Sequence, residues 1–413
     1  MVSRNGIAFW LLGLCNNFAY VIMLSAAKDI LDPESHKQKN CRASISTRDC
    51  QILSTGSVLL ADIIPALIVK LTAPFYVHRI PFGIRHLLVV LFQASSFFLV
   101  ANSQNTFIAL FGVVLASFGS GLGEISYLAL SANYESNAVS FWSSGTGGAG
   151  LIGALCYALL TDPQFLALQP KVAILLMFFS LPPIFSVTYW GILRISQNVQ
   201  RVRILEPRSW WIHGRERNRE SESLLDEEDR DLEEEEEGGI VILRPSIHKE
   251  LFLKFMVPLI LVYYAEYYIN QGLLELLEFD CSHGFKLSSD SQYRWYQVTY
   301  QIGVFISRSS SDWITVPPYN LAILQVVNSI LFTIFAIKTT ILPHIIALFA
   351  LIFFEGLLGG AAYISTFRNV HKQIPASHRE WSMGVVSISD TIGIMAAGFT
   401  AIPVHNKICG LKV

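Results

Sequence analysis

Asp62, Glu124, Glu266, Glu355 and Asp390 are carboxylic acids set inside stretches that are otherwise apolar, and Arg294 stands near one end of another such stretch. An ionised group at the centre of a bilayer costs on the order of 2.5 to 3.5 kcal/mol on insertion scales, so such groups face protein or a wet cavity and mark pathways for solutes or protons. Tyr263, Glu266, Tyr267 and Asn270 fall at i, i+3, i+4 and i+7 and share one helix face. That face suits either the lining of a wet cavity or an interhelical hydrogen-bond network. Ser117, Gly121 and Glu124 share a face in the same way, as do Glu355, Gly359 and Ala362, where Gly359 and Gly360 let a neighbouring helix come close. Burial disfavours the ionised form of any carboxyl group and so favours proton uptake in an acidic compartment. Glu266 and Glu355 are therefore read as coupling or substrate-contact groups, with Asp62, Glu124 and Asp390 next in order. Arg294 lies among Tyr293, Trp295, Tyr296 and Gln297. It suits either an anionic group such as a phosphate or a snorkelling place in an interfacial aromatic belt.

A second pattern points elsewhere. Gly145, Gly147 and Gly150 spell G-x-G-x-x-G, the outline of a dinucleotide-binding loop. That loop needs a preceding strand and free backbone amides, whereas these glycines fall within an apolar span whose backbone is satisfied inside its own helix. They read as a small-residue ridge for helix packing. There is no H-E-x-x-H, no G-x-S-x-G and no pair of carboxylates at metal spacing, so an intramembrane enzyme is not indicated, nor a metal, a cofactor or nucleic-acid binding.

The elements that position these groups are membrane spans. Of 413 residues, 52% are hydrophobic and only 15% charged, against about 25% charged in soluble domains. A crossing helix needs about 20 mostly apolar residues. Such stretches occur at roughly 7 to 31, 52 to 75, 83 to 103, 106 to 131, 139 to 161 and 171 to 195, and again at roughly 250 to 278, 292 to 308, 318 to 339, 342 to 367 and 382 to 404. The expectation is an all-α polytopic membrane protein of about eleven spans: an N-terminal bundle over residues 1–195, a linker over 196–249 and a C-terminal bundle over 250–413. The first span is too long, and too interrupted by Asn16 and Asn17, for a cleaved signal peptide.

The linker opens basic and then turns acidic, with ten of the twelve residues from Asp226 to Glu237 being Asp or Glu. Such a run repels itself and buries nothing, which predicts disorder. Its arginines place it in the cytosol by the positive-inside rule, and alternation then makes the N-terminus cytosolic. Lys37, Lys39, Arg42 and Arg48 fall on the other side, against that rule. In the linker, Glu220, Leu224 and Leu225 have the acidic dileucine form read by clathrin adaptors. Cys41 and Cys50 share the non-cytosolic loop after the first span, where a disulfide is chemically allowed.

The halves also echo one another. Leu122, Gly123 and Tyr127 recur as Leu358, Gly359 and Tyr363, and Trp142, Ser143 and Gly145 recur as Trp381, Ser382 and Gly384. The offsets are 236 and 239 residues by subtraction. This pattern predicts duplicated bundles around a central site, as in major-facilitator-like carriers, with a twelfth helix missing. The G-x-x-x-D-R-x-G-R signature of that superfamily is absent between spans two and three.

FWLLGLCNNFAYVIMLSAAKDIL (9–31), SGLGEISYLAL (120–130), WSSGTGGAGLIGAL (142–155), VYYAEYYINQGLLELL (262–277), YRWYQ (293–297), GVFISRSS (303–310) and EGLLGGAAYISTF (355–367) together resemble the battenin family. The likeness runs through both halves in order and covers most of the chain outside the linker. It implies a multi-pass protein of lysosomal and late endosomal membranes, similar to major facilitator and equilibrative nucleoside carriers. It also implies a role in clearing glycerophosphodiesters, with links to lysosomal pH and basic amino acid (arginine) transport. The family's hydrophilic N-terminal tail, luminal glycosylation sites and terminal prenylation box have no counterpart here. The leading expectation is a carrier exporting small polar catabolites around Glu266, Arg294 and Glu355, with protons as a candidate coupling ion. The alternative is a membrane scaffold whose acidic linker recruits trafficking or motor proteins.

Overall fold

The computed structural model describes residues 3–27, 30, 42, 43, 45, 55–135, 137–162, 165–197, 199–202, 206, 210, 249, 251–310, 316–338 and 341–411. Glu220, Leu224, Leu225, Cys41 and Cys50 lie outside the described residues, as does most of the linker.

The first half is built from α1 (Arg4–Ser25), α2 (Thr55–Tyr76), α3 (Phe82–Ala101), α4 (Thr106–Ser131), α5 (Asn137–Thr161) and α6 (Pro170–Val187), the last extended by a π-turn over Thr188–Ile192. The second half comprises α7 (Val257–Tyr268), α8 (Ser289–Ser309), α9 (Pro318–Ile337), α10 (Ile345–Gln373) and one last span made of α11 (Ala376–Val386) and α12 (Ile388–Cys409). α7 is flanked by π-helical turns at Leu251–Met256 and Ile269–Leu273, then by a 3-10 turn at Leu274–Leu276. Ten of these stretches are long and apolar enough to cross a membrane. The eleventh, α8, has 21 residues, enough length at 1.5 Å per residue to span about 30 Å. It is more polar than the other spans, and many of its polar groups are buried against other helices. The eleven spans coincide with the stretches expected from the sequence.

Caps define several helix starts. The side chains of Ser3, Asn105 and Ser288 each accept a hydrogen bond from a backbone N–H in the first turn of α1, α4 and α8. Pro65 has no N–H to offer within α2. The next N–H, of Ala66, is taken by the Ser117 hydroxyl at 2.9 Å, which fastens the interrupted turn to α4.

Packing repeats between the halves. In the first, α1 lies against α5 and α4, and α4 also against α2 and α3; in the second, α7 lies against α12 and α10, and α10 also against α8 and α9. These are the same neighbours under a shift of six spans. The halves meet where α5 packs on α8 and α2 on α12, two contacts that the same shift interchanges. The echo extends to side chains. A side chain at Gly123 would collide with Asn16 of α1, and one at Gly359 with the Glu266 carboxylate of α7.

α5 is one continuous helix through the glycine motif. A side chain at Gly145 would strike the backbone of Trp10 in α1, while Gly147 and Gly150 lie against Phe305, Arg308 and Gln301 of α8. The ridge thus joins α5 to its own half and to the other half.

The faces of the bundle differ. Arg4 donates to the carbonyls of Ile192 and Gly191 at 2.7 and 2.6 Å, so the N-terminal end of α1 and the start of the linker share one face. The opposite face carries the Arg42–Glu278 ion pair at 3.7 Å and the residues Cys281 and Cys409, each held in a disulfide. In its loop Asp280 is held well below the usual carboxylate range by hydrogen bonds from the Ser282 hydroxyl and from the backbone N–H and ring of His283.

Candidate solute site

Between the halves lies a narrow cavity walled by α1, α2, α4, α7, α8, α10 and α12. Its polar lining includes Lys70, Glu124, Tyr263, Arg308, Tyr363 and Asp390. It has about 60 Å³ of room for the centres of water molecules. One water needs on the order of 10 to 15 Å³ on that measure, so several fit, whereas a bulky solute requires the halves to part.

Lys70 sits at one end of this cavity, 2% exposed. Its ammonium lies 2.7 Å from Glu124 Oε2 and 3.0 Å from Asp390 Oδ1, and it donates to the Ser387 carbonyl at 2.9 Å. The lysine thereby ties α2 to α4 within its own half and to α12 of the other half. A charge withdrawn from water needs such partners, because an unpaired one costs several kcal/mol (about 3 to 5). Arg308 is the other cation that lines this cavity. It donates to Thr146 Oγ1 at 2.6 Å and to the Tyr263 hydroxyl at 2.9 Å, and its guanidinium lies 4.2 Å from the centre of the Tyr363 ring. Its fork is held by neutral groups and an aromatic face, with Nε making no hydrogen bond among the described residues. Tyr363 in turn donates to Glu124 at 3.4 Å and accepts from the Trp142 indole at 3.3 Å, linking the two cationic places.

The expected face of α7 divides. Tyr263 and Tyr267 line the cavity. Glu266 turns away from it toward α8 and α10, accepting from the Tyr300 hydroxyl and lying against Gly359. Asn270 donates to Glu355 Oε1 at 2.9 Å. Glu266 and Glu355 thus belong to a buried interhelical network beside the cavity. Asp62 is fully buried on α2, two turns from Lys70, and its carboxylate makes no hydrogen bond among the described residues. Arg294 is in the second turn of α8, about four turns from Arg308, outside the residues that line the cavity.

Two cations escaped the sequence reading. Lys70 lies late in the second span, where a lysine is easily taken for an interfacial anchor, and Arg308 closes a span too polar to stand out. The available signal was periodicity: Asp62, Ala66 and Lys70 repeat every four residues, placing the lysine on an acid-bearing face.

A second, smaller cavity opens toward the disulfide-bearing face, lined by Ser25, Asn270, Gln271, Gln297, Tyr300 and Gln301 among others. Tyr20 and Tyr267 border both cavities, and their hydroxyls meet at 2.8 Å between α1 and α7. Among the described residues no group of three or more His, Cys, Asp or Glu is placed to hold a metal ion.

The family model described as CLN3 protein matches residues 7–411. The chain belongs to the CLN3 protein family. Battenin of Canis lupus familiaris is 42% identical over 424 residues, spanning 99% of this chain and 92% of the dog protein. Protein BTN1 of Candida albicans is 37% identical over 428 residues, spanning 100% of this chain and 95% of the yeast protein. In fold, this CLN3-family chain resembles a bacterial homolog of the human lysosomal transporter Spinster, in inward-facing and occupied conformation, with a TM-score of 0.56 at 12% identity over 96% of this chain and 80% of that one. It also resembles the human organic anion transporter MFSD10, with a TM-score of 0.54 at 12% identity over 98% and 94%. The CLN3-family chain is thus a multi-pass membrane protein with the fold of major-facilitator-like transporters.

Proposed function

We propose that this protein is a carrier that exports a small polar anion across lysosomal and late endosomal membranes, with glycerophosphodiesters as the solute class. The observation that supports this reading best is the pairing of Lys70 and Arg308, one cation from each half, on one cavity between the bundles. A phosphodiester oxyanion would meet the Arg308 fork and join Glu124 and Asp390 around Lys70, while glycerol hydroxyls would bond the surrounding tyrosines. Access alternates by breaking the inter-half contacts on either side, Lys70–Asp390 toward the linker face and Tyr20–Tyr267 toward the disulfide face. In this reading the linker face and the N-terminus are cytosolic, because disulfides form and persist in oxidising compartments. The linker dileucine then supplies the adaptor signal, and effects on lysosomal pH follow from coupled proton movement. Arginine is the competing solute, since Glu124 and Asp390 would receive its guanidinium in place of Lys70. Flux into proteoliposomes holding the purified full chain tests the proposal: uptake of glycerophosphocholine or glycerophosphoinositol supports it, and uptake of arginine alone, or of neither, overturns it.

A further inference from the structure

Glu266 Oε1 has the Tyr300 hydroxyl and Glu355 Oε1 has the Asn270 amide. What remains is unbalanced. Glu266 Oε2, Glu355 Oε2 and Asn270 Oδ1 are all buried and make no hydrogen bond among the described residues. The three residues are 1%, 0% and 2% exposed. Their placement follows from the crossing of α7 and α10. Glu266 lies against Gly359 and Asn270 against Glu355, so one turn of each helix separates the two carboxyl groups, which interact electrostatically.

Three buried acceptors with no donor between them are costly unless something positive is shared among them. The backbone is adapted here too, because Asn270 sits in the π-turn Ile269–Leu273, a distortion common at functional sites. Gly359 completes the arrangement, since any side chain there would occupy the place of the Glu266 carboxylate.

We infer that α7 and α10 form a site for a small hard cation, a proton or a sodium ion, held by Glu266 Oε2, Glu355 Oε2 and Asn270 Oδ1. Two carboxylates and an amide oxygen suit a hard cation and not a thiolate- or imidazole-seeking metal. The titratable and charged groups that interact electrostatically with Glu266 are Tyr263 and Tyr267 on α7, Tyr300 and Arg308 on α8, Glu355 on α10 and Asp390 on α12. Arg308 and Asp390 line the solute cavity, so occupancy of the cation site is felt there. The inference rests on the carrier reading only for that coupling role; occupancy itself is independent of it.

The test is the melting temperature of the detergent-purified full chain in NaCl against N-methylglucamine chloride at equal ionic strength, at pH 7.5 and pH 5. A rise of about 2 °C or more with sodium at pH 7.5 identifies sodium as the occupant; a rise on acidification that is indifferent to sodium identifies the proton. Glu355→Gln, which supplies its own N–H donor, abolishes the response in either case. A wild-type protein that answers neither sodium nor pH, or a Glu355→Gln variant that answers as the wild type does, overturns the inference. If Glu355→Gln does not fold, Glu266→Gln carries the same comparison. Because the readout is stability and not flux, a failed transport assay leaves this result standing, and the reverse holds.

Discussion

At the scale of single residues, the cavity depends on how Lys70 and Arg308 are neutralised. Lys70→Ala leaves Glu124 and Asp390 buried without their shared cation, and we expect a loss of about 3 kcal/mol, seen as a lower unfolding midpoint in detergent. The triple change Lys70→Met, Glu124→Gln, Asp390→Asn removes all three charges together and should recover most of that loss. If the single and triple variants melt alike, the cluster is not an ion-pair network. Asp280 gives a pH prediction of the opposite kind. Its folded-state pKa is depressed, so its contribution is fully present above the unfolded value of about 4 and is lost only as pH falls through the folded one. Amide exchange at Ser282 and His283 should therefore show no local opening between pH 7 and pH 5, after correction for the intrinsic rate. The five carboxyl groups were legible as residues that do not belong in apolar spans, but their roles were not. Whether Glu266 faces the cavity or α10 depends on rotation of α7 about its axis, which is set by packing against α8, α10 and α12. No helical repeat in the sequence announces it.

Among the elements, α5 packs on both its own half and the other, and the glycines that looked like a nucleotide loop serve that packing. Their tolerance should be graded. Gly145→Ala meets the carbonyl oxygen of Trp10, which cannot swing aside, and should cost about 1 to 3 kcal/mol. Gly150→Ala meets only the amide end of Gln301, a movable side chain, and should cost much less. Equal melting temperatures for the two would argue that α5 does not press on α1 as described. The spans themselves were readable because each apolar stretch is long enough to cross the bilayer, and their duplication was readable from the short echoes in α4, α5, α10 and α11; which helices pack together was not. α8 was placed with the others, at 292 to 308, but why it is so polar follows only from its partners on α5 and α10.

For the whole molecule, the two faces differ in chemistry and should differ in reactivity. Cys15 and Cys156 are free thiols, whereas Cys281 and Cys409 are disulfide-bonded. In the denatured protein, a maleimide should label the first pair without reductant and the second pair only after reduction. Labelling of Cys281 or Cys409 before reduction would remove the argument that their face is luminal. The duplicated bundle makes a further demand: if the halves rock about the cavity, the contacts at its two ends, both formed here, are broken in turn. The central claim is that Lys70 and Arg308 receive an anionic solute, and Arg308 tests it most directly, because its present partners are neutral hydroxyls and an aromatic ring. In proteoliposomes holding the full chain, Arg308→Lys keeps a charge but loses the planar fork. The account predicts that glycerophosphodiester uptake falls at least about tenfold in this variant, with folded protein recovered at wild-type yield. Uptake equal to the wild type would contradict it.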